Sequence, residues 1–285
     1  MTDRYAVIGH PIAHSKSPQI HKMFAEQFKG TPASDISYEA IDPLPDADPR
    51  TPHEILCAAF RDTVRKLIEQ GYKGCNVTVP FKFEAYQLLK IYHEYVFSER
   101  AANTLKFDGD RVIGENTDGR GLIRDIQSNL GTTLNNKRVL LIGAGGAADG
   151  VVLPLRDAGA QVAIVNRTVG KARELAARKD PNSISACGYD ELTGKQFDVV
   201  INATSSGLSD EMPPLPPGIF APGALAYEMM YGRETPFMKF AHEHGAATVT
   251  DGLGMLVEQA AESFYIWRGV RPETAPVIAA LRNQQ

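Results

Sequence analysis

The chain has 285 residues, 43% hydrophobic and 22% charged, with a formal net charge of -4 and a pI near 6.0. That length allows two domains with substantial cores, and the acidic balance, without any strongly basic block, argues against a nucleic-acid footprint. No apolar run approaches the roughly 18 residues of a membrane span, the polar opening Met1 to Tyr5 has no signal-peptide core, and Cys57, Cys75 and Cys187 are too widely spaced to propose a disulfide framework or zinc site, so a cytoplasmic, metal-free protein is expected.

Tyr5 to Gly9 reads as a short apolar strand, followed by a turn-rich segment from His10 to Pro18. A helix is expected from Ser17-Pro18, with Ser17 capping it and Pro18 at its first position. Ile36 to Ile41 alternates as a strand does, and Asp42 to Pro52 is a proline-rich loop. From His53 to Gln70 the apolar side chains recur at helical spacing until Gly71 stops the helix. Gly74 to Pro80 is a β-branched strand leading to Lys82, and helical segments are expected from Phe83 to Ala102. Thr104–Phe107 and Arg111–Glu115 flank an Asp108-Gly109-Asp110 hairpin turn. Asn116-Thr-Asp-Gly119 then opens a helix through Leu130.

The next stretch, Arg138 to Gly150, reads as a buried strand, a glycine turn and a helix. Its Gly143-x-Gly145-x-x-Ala148 pattern is the small-residue form of a dinucleotide fingerprint, with pyrophosphate expected at the helix N-terminus. Pro154 should kink that helix or remove a hydrogen bond. Gln161–Val165 and Phe197–Thr204 are further strands, Gly170–Arg178 a helix, and Ser205 to Pro222 a proline-rich lid or rim. Leu225–Tyr227 and Thr248–Thr250 read as strands. Helices are expected over Pro236–His244, Met255–Trp267 and Pro272–Leu281. Strands alternate with helices in both halves, which makes the class α/β with largely parallel sheets.

In NAD-binding units the second strand ends on an acidic residue that bonds the ribose 2′-hydroxyl. Here Asn166 stands at that place, with Arg167, Thr168 and Lys171 beside it. A guanidinium, a hydroxyl and an ammonium can hold a 2′-phosphate that a carboxylate would repel, so NADP is favoured over NAD. An ordinary solvated helix start is the alternative. Cations there oppose the helix dipole unless an anion is bound. Lys82 follows a strand whose C-terminal end is where open α/β sheets bind ligands. On residue type alone, however, Lys82, Asp118, Ser15 and Ser17 could equally be surface, turn or cap residues.

The motifs Ile8-Gly-His-Pro-Ile-Ala-His-Ser-Lys-Ser-Pro18, Asn76-Val-Thr-Val-Pro-Phe-Lys82, Ala102-Asn-Thr-Leu105, Asn116-Thr-Asp-Gly119, the glycine turn, Asn166-Arg-Thr168, Asn202-Ala-Thr-Ser205 and Gly252-Leu-Gly-Met-Leu-Val-Glu-Gln-Ala260 run through nearly the whole chain. In that order they resemble the shikimate dehydrogenase family. The resemblance implies reversible NADPH-dependent reduction of 3-dehydroshikimate to shikimate. It also implies a substrate domain over 1–117, rejoined by helices over 252–285, and a Rossmann-type NADP domain over 118–251.

By the same resemblance Lys82 and Asp118 form the catalytic pair. Ser15, Ser17 and Tyr231 hold the substrate carboxylate, while Thr78, Asn103 and Gln259 bind ring hydroxyls or the carboxylate side. Gly143, Ala144, Gly145, Gly146 and Ala147 cradle the cofactor, with Asn166, Arg167, Thr168, Lys171, Thr204, Gly252 and Met255 completing its site, Met255 at the nicotinamide. Hydride addition to a ketone builds negative charge on oxygen, and a lysine can serve as donor and cation there. A small-molecule substrate, no nucleic-acid or membrane partner and a monomer or homodimer are expected.

Phe83, Ala101-Ala102, Glu228, Gly232 and Asp149 depart from the family's usual residues. Asp149 would repel pyrophosphate if it faced it, and is expected to point away. A quinate or dual quinate/shikimate dehydrogenase is the nearest rival; such relatives often carry threonine at the Ser17 position and an acidic residue near Arg167. A non-catalytic sensor on the same fold is a rival of another class, one with no need of a lysine and an aspartate together.

Overall fold

The structure, a computed structural model, describes residues 2–48, 50–92, 94–109, 111–204 and 211–284. These form two compact units, residues 1–117 with 259–284, and residues 118–258.

In the first unit, β1 (Asp3–Ile8), α1 (Ser17–Gln27), β2 (Ile36–Ile41), α2 (His53–Glu69) and β3 (Gly74–Val77) make two β-α-β steps, with β1 parallel to both β2 and β3. The apolar stripe of α2 buries Cys57, Phe60, Val64 and Leu67, and Gly71, at φ 80°, ends it as expected. Two expectations need correction here. Lys16, not Ser17, occupies the N-cap of α1, and the Ser15 hydroxyl oxygen accepts the Ser17 N–H at 3.3 Å. The stretch expected to be helical after Phe83 is broken: α3 (Lys82–Gln87) and α4 (Glu94–Glu99) are separated by a short strand, β4 (Ile91–Tyr92).

Strands β5 (Thr104–Asp108) and β6 (Arg111–Glu115) follow, antiparallel to one another, and Asp110 of their turn lies outside the described residues. The sheet order is β2-β1-β3-β5-β6-β4, in which β3–β5 and β5–β6 are antiparallel and the other pairs parallel. This sheet is therefore mixed, with a parallel half built by crossover helices and a hairpin added to its edge.

The second unit opens with α5 (Asp118–Arg124), which runs directly into a π-helical turn over Asp125–Asn129, a widening the sequence pattern did not announce. Strands β7 (Arg138–Ile142), β8 (Gln161–Val165), β9 (Ile184–Cys187), β10 (Phe197–Asn202), β11 (Phe220–Glu228) and β12 (Thr248–Thr250) form an all-parallel sheet in the order β12-β11-β10-β7-β8-β9. Read from β9, this is the 3-2-1-4-5-6 order of a dinucleotide-binding fold. β7 is buried from Val139 to Ile142, as a strand covered on both faces should be.

Helices α6 (Gly146–Asp157), α7 (Val169–Lys179) and α8 (Pro236–Glu243) connect the strands. Pro154 sits inside α6, where it removes the hydrogen bond that the Gly150 carbonyl would have accepted. Gly119 of α5 packs there: a Cβ on it would stand 2.2 Å from Pro154 Cγ and 2.8 Å from the Gly150 oxygen.

The edge strand β9 is missing from the sequence reading because its four residues carry apolar ends around Ser185 and Ala186 and pair on one side only. β11 is longer than Leu225–Tyr227 because Pro222, the end of the expected loop, falls with Gly223 in a register shift against β10. Of the expected lid from Ser205 to Pro222, residues 205–210 lie outside the described residues.

Helix α9 (Leu253–Arg268) begins in the second unit and continues into the first at Gln259, and α10 (Ala275–Arg282) follows. Within the first unit these helices are pinned to the sheet. Trp267 Nε1 donates to the Leu105 carbonyl at 3.0 Å, Arg268 bridges to Asp3, and Gln27 exchanges hydrogen bonds with the backbone of Glu273. Gly74 makes room for the indole, since a Cβ there would lie 2.6 Å from Trp267 Nε1.

Candidate active site

The C-terminal ends of β1 and β3 in the first unit turn out of the sheet side by side. Thr78 N donates to the Ile8 carbonyl at 2.9 Å, and His10 N to the Val79 carbonyl at 3.1 Å. Gly9 permits this approach: a Cβ on it would stand 2.4 Å from Thr78 Cγ2. Thr78 is half-buried, and Lys82, also half-buried, is the first residue of α3. The Lys82 carbonyl accepts the Ala102 N–H at 2.9 Å, which fixes the Lys82 backbone beside the residue preceding Asn103.

Asn103 is buried, and its amide is held from several sides. Its Oδ1 accepts the Thr117 N–H at 2.9 Å and the Thr104 hydroxyl at 2.9 Å, while its Nδ2 donates to Thr117 Oγ1 at 3.0 Å and lies 3.4 Å from Gln259 Oε1. Asn103, Thr117 and Gln259 are thus one hydrogen-bonded group, of which Thr117 carries no role in the sequence reading. Its position inside Asn116-Thr-Asp-Gly119 is the signal that could have found it.

A second group stands under Ser17. The Ser17 side chain lies beside the Tyr38 hydroxyl, which donates to Asn76 Oδ1 at 2.7 Å. Asn76 Nδ2 reaches the Asn103 carbonyl, Thr104 Oγ1 and Ser263 Oγ at 2.9 to 3.1 Å. Burial lifts the Tyr38 phenol well above its usual range, so it is a neutral donor to Asn76 beside Ser17. Tyr38 and Asn76 are further residues the sequence reading did not single out.

In the second unit the glycine turn has the geometry its composition implies. Gly143 takes φ 115°, and a Cβ on it would crowd the Ala203 carbonyl at 3.2 Å. Gly145 is the N-cap of α6 with no side-chain cap, and both it and Gly146 border open space where a Cβ would point. Ala144 is half-buried, Ala147 exposed and Ala148 fully buried against the sheet. An uncapped helix N-terminus reached through two glycines is a cradle suited to a pyrophosphate.

At the end of β8, Asn166 Nδ2 folds back to the Thr168 carbonyl at 3.0 Å, and Arg167, Thr168 and Lys171 are exposed at the start of α7. No carboxylate stands among these four residues, and the set fits a 2′-phosphate. Asp149 turns the other way, to Arg178 and to Lys179 Nζ at 2.6 Å near the C-terminal end of α7.

Thr204 is tied to Asn202 through a 2.7 Å bond from its hydroxyl to Asn202 Oδ1. Asn202 in turn donates to the buried Glu228 at 2.8 Å, and Glu228 also accepts from Thr235 Oγ1 and the Met230 N–H. Burial raises the Glu228 carboxyl above its usual range. The departing Glu228 side chain is therefore absorbed in a closed network, and Tyr231, three residues on, is half-buried. Gly252 presses on Met229, whose carbonyl would lie 2.2 Å from a Cβ, and Met255 is buried in the first turn of α9. Asp118 is the first residue of α5, so Lys82 and Asp118 belong to different units. Among the described residues no group of His, Cys, Asp and Glu could hold a metal ion.

Comparison with known proteins gives a consistent result along the whole chain. Residues 7–105 match the shikimate dehydrogenase substrate binding domain, residues 125–209 the shikimate / quinate 5-dehydrogenase family, and residues 252–282 the shikimate 5′-dehydrogenase C-terminal domain. A shikimate dehydrogenase (NADP(+)) of Methylobacillus flagellatus is 55% identical over 98% of this chain and 99% of its own, and one of Alkalilimnicola ehrlichii is 52% identical over 100% of both. Among solved structures, an Ael1 enzyme from Pseudomonas putida is 45% identical with a TM-score of 0.86, covering 98% of each chain. A shikimate 5-dehydrogenase from Thermus thermophilus, in complex with NADP(H) and shikimate, is 31% identical with a TM-score of 0.82 over 100% of both.

Proposed function

The chain belongs to the shikimate dehydrogenase family, and from that premise we propose how its residues divide the reaction. It is an NADP-dependent shikimate dehydrogenase, catalysing the reversible reduction of 3-dehydroshikimate to shikimate on the route to chorismate and the aromatic amino acids. The observation that carries this reading is identity of about half the residues with NADP-dependent enzymes over the full length of both chains.

The first unit is the substrate side and the second the NADP side. Bound NADPH supplies the hydride. Gly143, Ala144, Gly145, Gly146 and Ala147 present backbone to its pyrophosphate, Asn166, Arg167, Thr168 and Lys171 hold the 2′-phosphate, and Thr204, Gly252 and Met255 flank the nicotinamide end. Ser15, Ser17 and Tyr231 bind the substrate carboxylate, while Thr78, Asn103 and Gln259 orient the ring through its hydroxyls.

As the carbonyl carbon takes up the hydride, its oxygen gains a negative charge. Lys82 stabilises that charge and delivers the proton that completes the alcohol, with Asp118 orienting the ammonium. In the direction of oxidation Lys82 receives the proton instead. A positioned cation and proton donor are what a ketone reduction requires of a protein. A ligand sensor needs neither, which disfavours the non-catalytic reading.

The protein acts in the cytoplasm as a monomer or homodimer on small molecules, without nucleic-acid or membrane partners; no described helix is long and apolar enough to cross a membrane. One steady-state matrix tests the assignment: shikimate and quinate, each with NADP and NAD. Shikimate with NADP should give the highest kcat/KM, and a preference for quinate or for NAD would overturn the corresponding half of the reading.

A further inference from the structure

Helix α9 carries Met255 in its first turn, and that turn is fastened to the second unit by groups the reaction itself does not use. Asp125, the first residue of the π turn, is 3% exposed, and its Oδ2 accepts the hydroxyl of Tyr227 at 2.6 Å. Tyr227, on β11, is fully buried, and its hydroxyl lies near the backbone N–H of Met255. The carboxylate and the phenol thus form one relay packed against the first turn of α9, which carries the residue assigned to the nicotinamide.

The surrounding contacts are as tight. A Cβ on Gly254 would stand 2.0 Å from Asp125 Oδ1, so only glycine fits between Asp125 and Met255. Asn129, brought round by the π turn, donates to Asp125 Oδ1 at 2.9 Å and to Glu258 Oε1 at 3.0 Å. A plain packing role would be met by apolar side chains at 125 and 227. A buried carboxylate is costly to desolvate and is kept only where its hydrogen bonds fix a geometry.

We propose that Asp125 and Tyr227 are positioning residues that set the first turn of α9, and with it Met255, against the nicotinamide ring, controlling hydride transfer rather than capture of the adenine end. The proposal rests on the placement of Met255 at the nicotinamide given above. It separates two ends of one cofactor, because the 2′-phosphate residues at β8 are no part of the relay.

Tyr227→Phe removes one oxygen and keeps the ring. Binding of NADP and of adenosine 2′,5′-bisphosphate, which lacks the nicotinamide, is measured by calorimetry. NADP should bind about fivefold more weakly, the loss of about one neutral hydrogen bond, while the bisphosphate stays within about twofold. In turnover, kcat should fall about tenfold, with KM for shikimate within about twofold and a larger deuterium isotope effect from 4-deuterated NADPH.

Asp125→Asn, which keeps volume and leaves Tyr227 its hydroxyl, should give the same pattern and replaces Tyr227→Phe if that variant does not fold. Equal weakening of both ligands would mean a merely structural role and overturn the proposal, as would unchanged NADP binding and kcat. A wild-type chain that binds NADP without oxidising shikimate would sink the functional assignment and leave the two-ligand comparison as the test of the relay.

Discussion

The backbone N–H of Thr117 donates to Oδ1 of Asn103 at 2.9 Å, which fixes the direction in which that buried amide faces. The oxygen is committed to Thr117 and Thr104, so Nδ2 points to Thr117 Oγ1 and towards Gln259. Thr117→Val keeps the branched shape and the backbone bond but removes the hydroxyl. The expected outcome is a rise of several-fold in KM for shikimate, corresponding to about 1 kcal/mol for one buried hydrogen bond. KM for NADP should be unchanged. Steady-state kinetics check this, and an unaltered KM for shikimate would remove Thr117 from the orientation of Asn103.

Lys82→Ala should lower kcat by about 10²- to 10⁴-fold, the usual worth of a positioned proton donor, while circular dichroism and the melting temperature stay near those of the parent. Near-normal turnover would take Lys82 out of the mechanism.

Most of the architecture could be read from local chemistry. The glycine turn, the Gly71 stop and the buried run of β7 each follow from short-range rules, and all three are present. What escaped the sequence depends on partners far along the chain. β9 is a strand only because β8 lies beside it, and β4 breaks a helical run because it can pair with β6. Lys82 is no different from a surface lysine until the motif around it is matched. Tyr227, whose partner Asp125 lies about a hundred positions away, offers no local sign at all.

For the cofactor, Arg167 is exposed at the end of β8 with Thr168 beside it. Arg167→Ala should raise KM for NADP by about tenfold or more, as expected for one or two charge-assisted bonds to a phosphate. KM for NAD should move by less than about twofold. A uniform change for both cofactors would count against a 2′-phosphate contact.

Asp149 tests the opposite expectation at the glycine turn. Its carboxylate is spent on Arg178 and on Lys179, whose side chain has no solvent exposure. Asp149→Asn should therefore cost stability, about 2 kcal/mol, less than the ~3–5 of a fully buried pair, and leave KM for NADP within about twofold. If the variant instead binds NADP much more tightly, the carboxylate acts on the pyrophosphate after all.

His21 is fully buried on α1, stacked on Tyr38 with ring centroids 4.2 Å apart and surrounded by Phe24, Phe264 and Trp267. Burial pushes its imidazole pKa down to about 3, with the Asn76 side chain pulling weakly the other way. The unfolded chain holds this proton near the ordinary histidine value of about 6.5, so the folded state is the one that resists protonation. Above about pH 6.5 the group is neutral in both states and contributes nothing to the pH dependence. As pH falls from there towards about 3, the unfolded state alone takes up the proton, and stability drops by up to about 1.4 kcal/mol per pH unit from this residue. His21→Phe keeps the aromatic stack and removes the proton. Urea midpoints taken at pH 7.5, 6 and 5 should fall less steeply in His21→Phe than in the parent chain. Parallel slopes would show that His21 does not govern acid stability, because no other change in the variant alters proton uptake on unfolding.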